Sequence, residues 1–448
     1  MSDQAITTIP ARSTRDADGA ESELFIVGLN CEPSLVQLGR ARVLFGRDPS
    51  CDVLLGTGQA SRQHAEVVRV GPLHLIRDLS STNGTLVNGQ RVREAPLVAG
   101  TLIRLGDWIG VVAAPEPTPA YDFSFCEQAP GLWGASTLRT ALAPGRVAAT
   151  SDLPIIVEGE TGTGKELIAR AIHTWSGRSG PFVAINCAAL PDALAEAELF
   201  GYRRGAFTGA ERASPGHFRS ADGGTLLLDE VCELSPAMQV KLLRALEQRE
   251  VVPLGESRPV PIDVRVLAAA QAPLAPAIAR QRFRADLYAR LDGLTLRIPP
   301  LRKRIEDLPR LVEHFMQEWR PGLRVRMSVN ALDSLCCYDW PFNVRELRQL
   351  SRRLAVLHAD AEFVHNGQLP EHIRGRTNSI SASAPESPDQ KAESELDRLL
   401  NALRKHAGNV TLAARDAGLS RMRAYRIMKA NPDVDLNEFR TSDDEADS

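Results

Sequence analysis

Several groups of residues in this 448-residue chain have the types and spacing needed for chemistry on phosphate. The first is Gly159-Glu160-Thr161-Gly162-Thr163-Gly164-Lys165-Glu166, which follows an apolar run at 153–157 and leads into a helix-forming run at 167–172. Strand, glycine-rich loop, Lys and helix make a phosphate cradle. Backbone N–H groups and the helix N-terminus surround the anion, and Lys165 reaches the β- and γ-phosphates of a nucleotide. Ser or Thr usually follows that Lys to hold Mg2+. Here Glu166 stands there, so the ion must draw on water, phosphate oxygens and an acid elsewhere. The second group supplies that acid: Gly223-Gly224-Thr225-Leu226-Leu227-Leu228-Asp229-Glu230 reads as an apolar strand ending in two carboxylates. Asp229 is suited to hold Mg2+, and Glu230 to polarise an attacking water as general base.

A third group lies in turn-rich sequence: Gly46-Arg47, Ser61-Arg62-Gln63-His64, and Ser81-Thr82-Asn83-Gly84-Thr85 followed by Asn88-Gly89. A guanidinium grips two phosphate oxygens and a Ser hydroxyl a third. The same residues also serve as plain turn formers, with His64 a packed and hydrogen-bonded side chain, and chemistry alone leaves both readings open. The hexapeptide Gly205-Ala206-Phe207-Thr208-Gly209-Ala210 has a similar ambiguity. Its glycines allow a sharp turn that pushes Phe207 and Thr208 outward as a contact tip, or an ordinary turn whose Phe folds back.

Local periodicity indicates what must position these groups. Short apolar runs at 23–27, 42–45, 65–70, 73–79, 85–87 and 101–105 alternate with turn signals, the rhythm of an all-β sandwich over residues 22–113. Residues 129–372 carry the nucleotide chemistry on an α/β frame. Leu396, Leu399, Leu400 and Leu403 form an apolar helical stripe, a dimer-forming helix. After it, Asn409 and Ser420 are placed to cap two helices that turn at Gly418, an all-α pair over 392–432. Arg398, Arg404, Lys405, Arg415, Arg421, Arg423, Arg426 and Lys429 face only Asp416 in that stretch, so positive charge is concentrated there. Between these blocks lie a polar N-terminus at 1–21, read as disordered, a Pro-rich linker at 114–128, a Ser/Pro-rich linker at 373–391 and an acidic tail at 433–448.

Composition sets limits. A net charge of −3 excludes binding of nucleic acid or membrane through bulk charge, so any such site is local. The seven cysteines are scattered without CxxC spacing, which fits reduced thiols and not a disulfide framework or zinc site. The polar N-terminus lacks the apolar core of a signal peptide, and no apolar run approaches the ~20 residues of a membrane span. These features lead us to expect a cytoplasmic protein.

The phosphate cradle with its Glu166, the 205–210 hexapeptide and the carboxylate-ended strand together resemble the AAA+ ATPase domain of sigma-54-dependent transcriptional activators, across essentially all of 129–372. The resemblance implies ATP with Mg2+, and a ring, expected to be a hexamer, whose ATP cycle presents the 205–210 loop to sigma-54 RNA polymerase holoenzyme. It also implies roles for further residues. Asn186 would restrain Glu230 until nucleotide is properly bound. Arg284 and Arg290, in Phe283-Arg284-Ala285-Asp286-Leu287-Tyr288-Ala289-Arg290-Leu291, would reach into the neighbouring subunit's site. Arg345, in Trp340-Pro341-Phe342-Asn343-Val344-Arg345-Glu346-Leu347, would contact nucleotide as sensor II, with Phe342 replacing the usual Gly. The sensor I strand departs from the family, ending in Ala270-Gln271 where Thr-Asn is usual. The Gln271 amide still reaches water or phosphate, which leads us to expect slower hydrolysis or altered coupling.

The clusters in 22–113 resemble a forkhead-associated (FHA) domain, a phosphothreonine-peptide reader. That likeness implies Arg47 and Ser61 on the phosphate with Arg62 assisting, Asn83 on the peptide backbone, His64 as a structural residue, and Thr82 and Asn88 as loop supports. Residues 392–432 resemble the Fis-type helix-turn-helix, with Ser420, Arg421, Arg423 and Arg426 as DNA contacts. The resulting expectation is an ATP-driven activator bound to upstream double-stranded DNA and tied to Ser/Thr kinase signalling. The alternative is an ATPase-deficient DNA-binding adaptor that recruits phosphorylated partners, and Ala270 with Gln271 is its best support.

Overall fold

The computed structural model describes residues 24–30, 35–39, 41–56, 58–113, 124–208, 210–322, 326–358 and 363–374, with His406, Leu412 and Asp416 beyond them. The N-terminal segment, the Ser/Pro-rich linker, the helix-turn-helix with Ser420, Arg421, Arg423 and Arg426, the acidic tail and Gly209 lie outside the described residues. The architecture below belongs to the compact unit that ends at Ser379.

The first domain is a two-sheet sandwich. One sheet has the order β2 (Leu35–Gln37), β1 (Phe25–Gly28), β11 (Trp108–Ala113), β10 (Leu102–Leu105), β7 (Thr85–Val87), β8 (Gln90–Val92). The other runs β4 (Val53–Leu54), β3 (Arg42–Gly46), β5 (Ala65–Val70), β6 (Leu73–Asp78), β9 (Glu94–Leu97). Inward-facing Ile26, Phe45, Val67, Ile76, Ile103, Leu105 and Trp108 fill the space between them, as alternation along half-buried strands requires.

The central domain opens with a hairpin of β12 (Cys126–Ala129) and β13 (Leu132–Gly134), so pairing begins inside the segment read as linker. Helix α1 (Ser136–Ala148) leads to β14 (Ile155–Glu158) and α2 (Lys165–Ser176). Then follow β15 (Phe182–Asn186), α3 (Asp192–Phe200), α4 (Gly216–Ser220), β16 (Thr225–Asp229) and α5 (Pro236–Gln248). A two-residue pair, β17 (Glu250–Val251) and β18 (Val260–Pro261), precedes β19 (Arg265–Ala270), α6 (Ala275–Ala279), α7 (Ala285–Leu291) and β20 (Leu294–Arg297). The main sheet is fully parallel, in the order β15-β16-β19-β14-β20. Parallel strands are buried on both faces, and β14, β16 and β19 are apolar along nearly their whole length for that reason.

A helical subdomain completes the unit: α8 (Leu308–Trp319), β21 (Arg326–Met327), α9 (Val329–Cys337), α10 (Asn343–Leu357), β22 (Phe363–Val364) and α11 (Glu371–Arg374). Its core of Leu311, Phe315, Leu335, Trp340, Leu347 and Leu354 also takes in Leu102, Ile109 and Val111 from the sandwich.

Candidate nucleotide and phosphopeptide sites

The glycine-rich loop leaves the C-terminal end of β14, the edge where open α/β sheets bind ligands. Gly162 and Gly164 have positive φ angles of 79° and 99°, which turn the loop, and α2 begins at Lys165. A Cβ on Gly162 would meet the Phe342 carbonyl oxygen at 2.1 Å, so only Gly fits there. Lys165 is buried and donates to the Gly159 carbonyl at 2.7 Å. Burial lowers its pKa, while the charges of Asp229 and Glu230 oppose that shift. Glu166 points elsewhere, accepting from Arg170 at 3.1 Å one turn along α2.

Parallel register brings the catalytic candidates together. Strand β19 lies between β16 and β14, with Leu228 opposite Ala268 and Glu158 opposite Ala270. Asp229, Glu230 and Gln271 therefore emerge side by side. Burial raises the Asp229 carboxyl, and Lys165 pulls it back down. Its Oδ1 accepts the Glu230 N–H at 3.0 Å, which holds Glu230 in a left-handed conformation at φ 55°. The Glu230 carboxylate in turn accepts a hydrogen bond from the Gln271 side-chain amide. Asn186 sits across from Asp229 in the register, yet its Oδ1 accepts the Ala188 N–H at 2.8 Å and caps the short turn that follows. Gln271, not Asn186, is the amide hydrogen-bonded to Glu230.

The α9–α10 junction and the turn before α8 clamp the loop with residues that the sequence did not single out. Asn343, fully buried with φ 50°, donates to the Thr161 carbonyl at 3.0 Å and to Glu160 at 3.3 Å. It also accepts the Leu301 N–H at 2.8 Å. Arg302 makes a forked contact with Glu160, which lowers that carboxyl's pKa. Arg304, 1% exposed, reaches the Thr163 carbonyl at 3.4 Å. The Arg345 N–H donates to the Gly162 carbonyl at 3.3 Å, and its guanidinium depresses Lys165, so sensor II is close to the cradle. Phe342 has an ordinary negative φ of −107°, which any side chain adopts, and this explains why Gly is not needed there.

Arg284 and Arg290 lie elsewhere. The Arg284 guanidinium pairs with Asp286, two residues on. Arg290 lines a cavity of about 220 Å3 with Asp152, Pro154, Asp263 and Arg265, at the N-terminal ends of β14 and β19. Neither is among the groups around the loop of its own chain.

The 205–210 loop is pinched at its base. Tyr202 and Ser214 exchange backbone hydrogen bonds of 3.0 and 2.9 Å, and Gly201 and Gly216 touch backbone to backbone. Above them the Gly205 N–H donates to the Ala210 carbonyl and the Ala210 N–H to that of Phe207. The Phe207 ring lies edge-on to Tyr202 with centroids 5.0 Å apart, and Thr208 is exposed.

In the sandwich, the three polar clusters converge at one end. The Arg47 N–H donates to the Ser61 carbonyl at 3.0 Å, the Thr82 N–H to Ser61 Oγ at 3.0 Å, and the Asn83 amide to the Gln59 carbonyl at 2.7 Å. Arg47 and Arg62 are exposed around them. His64 is fully buried. Its Nδ1 accepts the Ser61 N–H at 3.1 Å, so Nε2 carries the proton and donates to the Gly84 carbonyl at 3.2 Å. Burial lowers its pKa. Asn88 supports its turn by accepting the Leu102 N–H at 2.9 Å.

A five-stranded parallel sheet with a glycine-rich loop, two carboxylates at its C-terminal edge and a helical lid closing on that loop defines an AAA+ ATPase. Residues 134–297 match the Sigma-54 interaction domain, 302–386 the AAA+ ATPase lid domain and 43–106 the FHA domain. The chain is 42% identical over 308 residues to the transcriptional regulatory protein ZraR of Klebsiella oxytoca, covering 68% of each chain. It is 40% identical over 332 residues to ZraR of Escherichia coli K12, covering 71% of this chain and 75% of that one. The structure of NtrX from Brucella abortus in complex with ADP superposes with a TM-score of 0.50 at 32% identity, over 66% of this chain and 68% of that one. The chain belongs to the sigma-54-dependent transcriptional regulators, with an FHA domain ahead of its AAA+ ATPase domain. Among the described residues no helix is long and apolar enough to cross a membrane.

Proposed function

We propose that this protein assembles into a ring on upstream DNA and uses ATP hydrolysis to remodel the closed promoter complex of sigma-54 RNA polymerase. The observation that carries this reading is the placement of the 205–210 loop, with an exposed Thr208 and a Phe207 stored on Tyr202. Its stem is joined to the nucleotide site on both sides. Asn186 ends β15 and leads through α3 to Gly201, while α4 leads from the stem into β16 and Asp229.

The chain's residues divide the chemistry. The loop N–H groups and Lys165 bind the phosphates, and Arg345 senses them from the lid. Glu230 orients and deprotonates the attacking water. Asp229 is the acid to hold Mg2+. No cluster of three or more His, Cys, Asp or Glu side chains converges among the described residues, and Asp229 would hold the ion together with water and phosphate oxygens. A bound Mg2+ supplies charge neutralisation on those oxygens. Arg284 and Arg290 stand away from their own loop, so they complete a neighbour's site in trans, and turnover requires assembly. Arg47, Ser61, Arg62 and Asn83 bind a phosphothreonine peptide. Residues 392–432 bind DNA through Ser420, Arg421, Arg423 and Arg426. The Gln271 amide reaches the general base, so the departing sensor I position keeps a polar group at the reaction centre, and this speaks against the ATPase-deficient adaptor.

The test is steady-state ATPase activity across a range of protein concentrations, alongside sigma-54 promoter opening. Turnover per subunit that rises with concentration and drives opening supports the proposal; no turnover at any concentration favours the adaptor.

A further inference from the structure

Strands β10 and β11 of the FHA domain bury apolar residues on both faces. Ile103, Leu105, Trp108 and Val112 point into the sandwich core. The alternate residues Leu102, Ile109 and Val111 are equally buried, but in the core of the lid. An antiparallel sheet normally leaves one face to solvent, so this second face has a dedicated partner. That partner is α9, whose residues from Ala331 to Cys336 are all buried. A helix surrounded in this way is covered on more than one side. At the seam Arg104 donates to Asp333 at 3.1 Å and to Asn330 at 2.9 Å. The Asp333 side chain is 1% exposed, and a buried carboxylate needs such a counter-charge. Gly89 completes the fit, since a Cβ there would press on Cys337 Sγ at 3.2 Å.

Both ends of this seam lead to a binding site. On the lid side, Trp340 donates its ring N–H to the Leu335 carbonyl of α9 at 2.9 Å, and Asn343, bonded to the Trp340 carbonyl, holds the phosphate loop. On the FHA side, Arg104 Nε donates to the Gly106 carbonyl at 3.0 Å. Gly106 abuts the Gln59–Ala60 backbone so closely that a Cβ would sit 2.8 Å from it. The Gln59 carbonyl accepts from Asn83, and Ser61 lies two residues further on.

We propose that the β10–β11 face is an effector surface whose partner is the lid of the same chain, and that its docking through Arg104 and Asp333 restrains the ATPase until a phosphothreonine peptide binds. The peptide backbone takes the Asn83 amide from Gln59, loosens the Gln59–Gly106 contact and so weakens the seat of Arg104. A ligand shifts such an equilibrium only by its differential affinity for the docked and released states, and the coupling is reciprocal. Peptide must therefore change nucleotide affinity by the same factor as nucleotide changes peptide affinity. The peptide arm rests on the FHA reading given above; the docking arm does not.

The full chain, Arg104→Asp, and the swap Arg104→Asp/Asp333→Arg would be compared in three measurements. These are ATPase turnover, hydrogen exchange of α9, and response to a peptide pool degenerate around one phosphothreonine, with the unphosphorylated pool as control. Arg104→Asp is expected to raise turnover about fivefold, a typical coupling factor, to expose α9 amides and to abolish the response to the pool. The swap restores all three. Unchanged turnover and exchange in Arg104→Asp overturn the docking. A pool that binds and stimulates the parent and Arg104→Asp equally overturns coupling through this contact. If the pool fails to bind while Arg104→Asp still raises turnover, docking stands and the phosphopeptide reading fails.

Discussion

The Gln271 side-chain amide donates a hydrogen bond to the Glu230 carboxylate, so the sensor I residue and the proposed general base are one unit. We expect the γ-phosphate of bound ATP to compete with Glu230 for this amide. Nucleotide that draws the amide away frees the carboxylate to take up water. Replacing Gln271 by Ala removes the phosphate contact as well as the restraint. We expect KM for ATP to rise and kcat to fall by about 100-fold, the scale of a lost positioned donor. Asn, one methylene shorter, still offers an amide to phosphate but does not span to Glu230, so Gln271→Asn raises basal turnover. Opposite signs for the two substitutions in steady-state kinetics are the signature; equal losses would reject the competition. Asn186→Ala, whose side chain caps a turn, should change turnover by no more than about twofold.

Lys165 and Glu230 separate binding from chemistry. Lys165→Ala removes the cation from the cradle and is expected to abolish turnover together with tight ATP binding. Glu230→Gln keeps the shape and loses the base, so turnover falls roughly 100- to 10,000-fold while ATP still binds. Equilibrium binding of a fluorescent ATP analogue, set beside ATPase rates, distinguishes the two. A Glu230→Gln protein that hydrolyses at the parent rate would remove Glu230 from the mechanism.

Phe207 and Thr208 are exposed on a loop whose stem, not its tip, is tied to the ATPase core. Thr208→Ala is therefore expected to leave hydrolysis within about twofold, as exposed substitutions away from a site usually do, and to abolish promoter opening. Hydrolysis and opening measured on one preparation decide the matter. If both survive, the loop does not contact the polymerase.

The nucleotide site was largely legible because its parts are local. Glycine spacing, a Lys at the first position of α2, and an apolar strand ending in two acids are set by neighbours in the chain. The clamp on the loop was not. Asn343 lies 183 residues from Glu160, and nothing around either residue announces the contact. The Gln271–Glu230 bond depends on β19 lying beside β16, a fact of sheet order that local pattern does not encode. In the sandwich, β2, β4 and β8 are too short to show a period. Strand β11 carried a usable signal. Its unbroken Trp108-Ile109-Gly110-Val111-Val112, set against the alternation of β5 and β6, marks two buried faces and hence a docked lid.

His64 ties the FHA loops together only in its neutral form. Its Nδ1 must accept the Ser61 N–H, and a protonated ring cannot do so. Burial depresses its pKa from the ordinary 6.5, with Asp78 and the Gly84 carbonyl pulling the other way. The folded domain therefore binds that proton less readily than the unfolded chain. The stability His64 contributes is complete above pH 6.5 and is lost as the pH falls below it towards the depressed folded value. At pH 5.5 we expect the amides of β5 and β7 to open more readily than at pH 7.5, after correction for intrinsic exchange, and phosphopeptide affinity to fall with them. His64→Asn should be weaker at both values and lose the difference between them. A parent protein with equal opening free energies at the two pH values would show that His64 does not set the stability of this loop cluster.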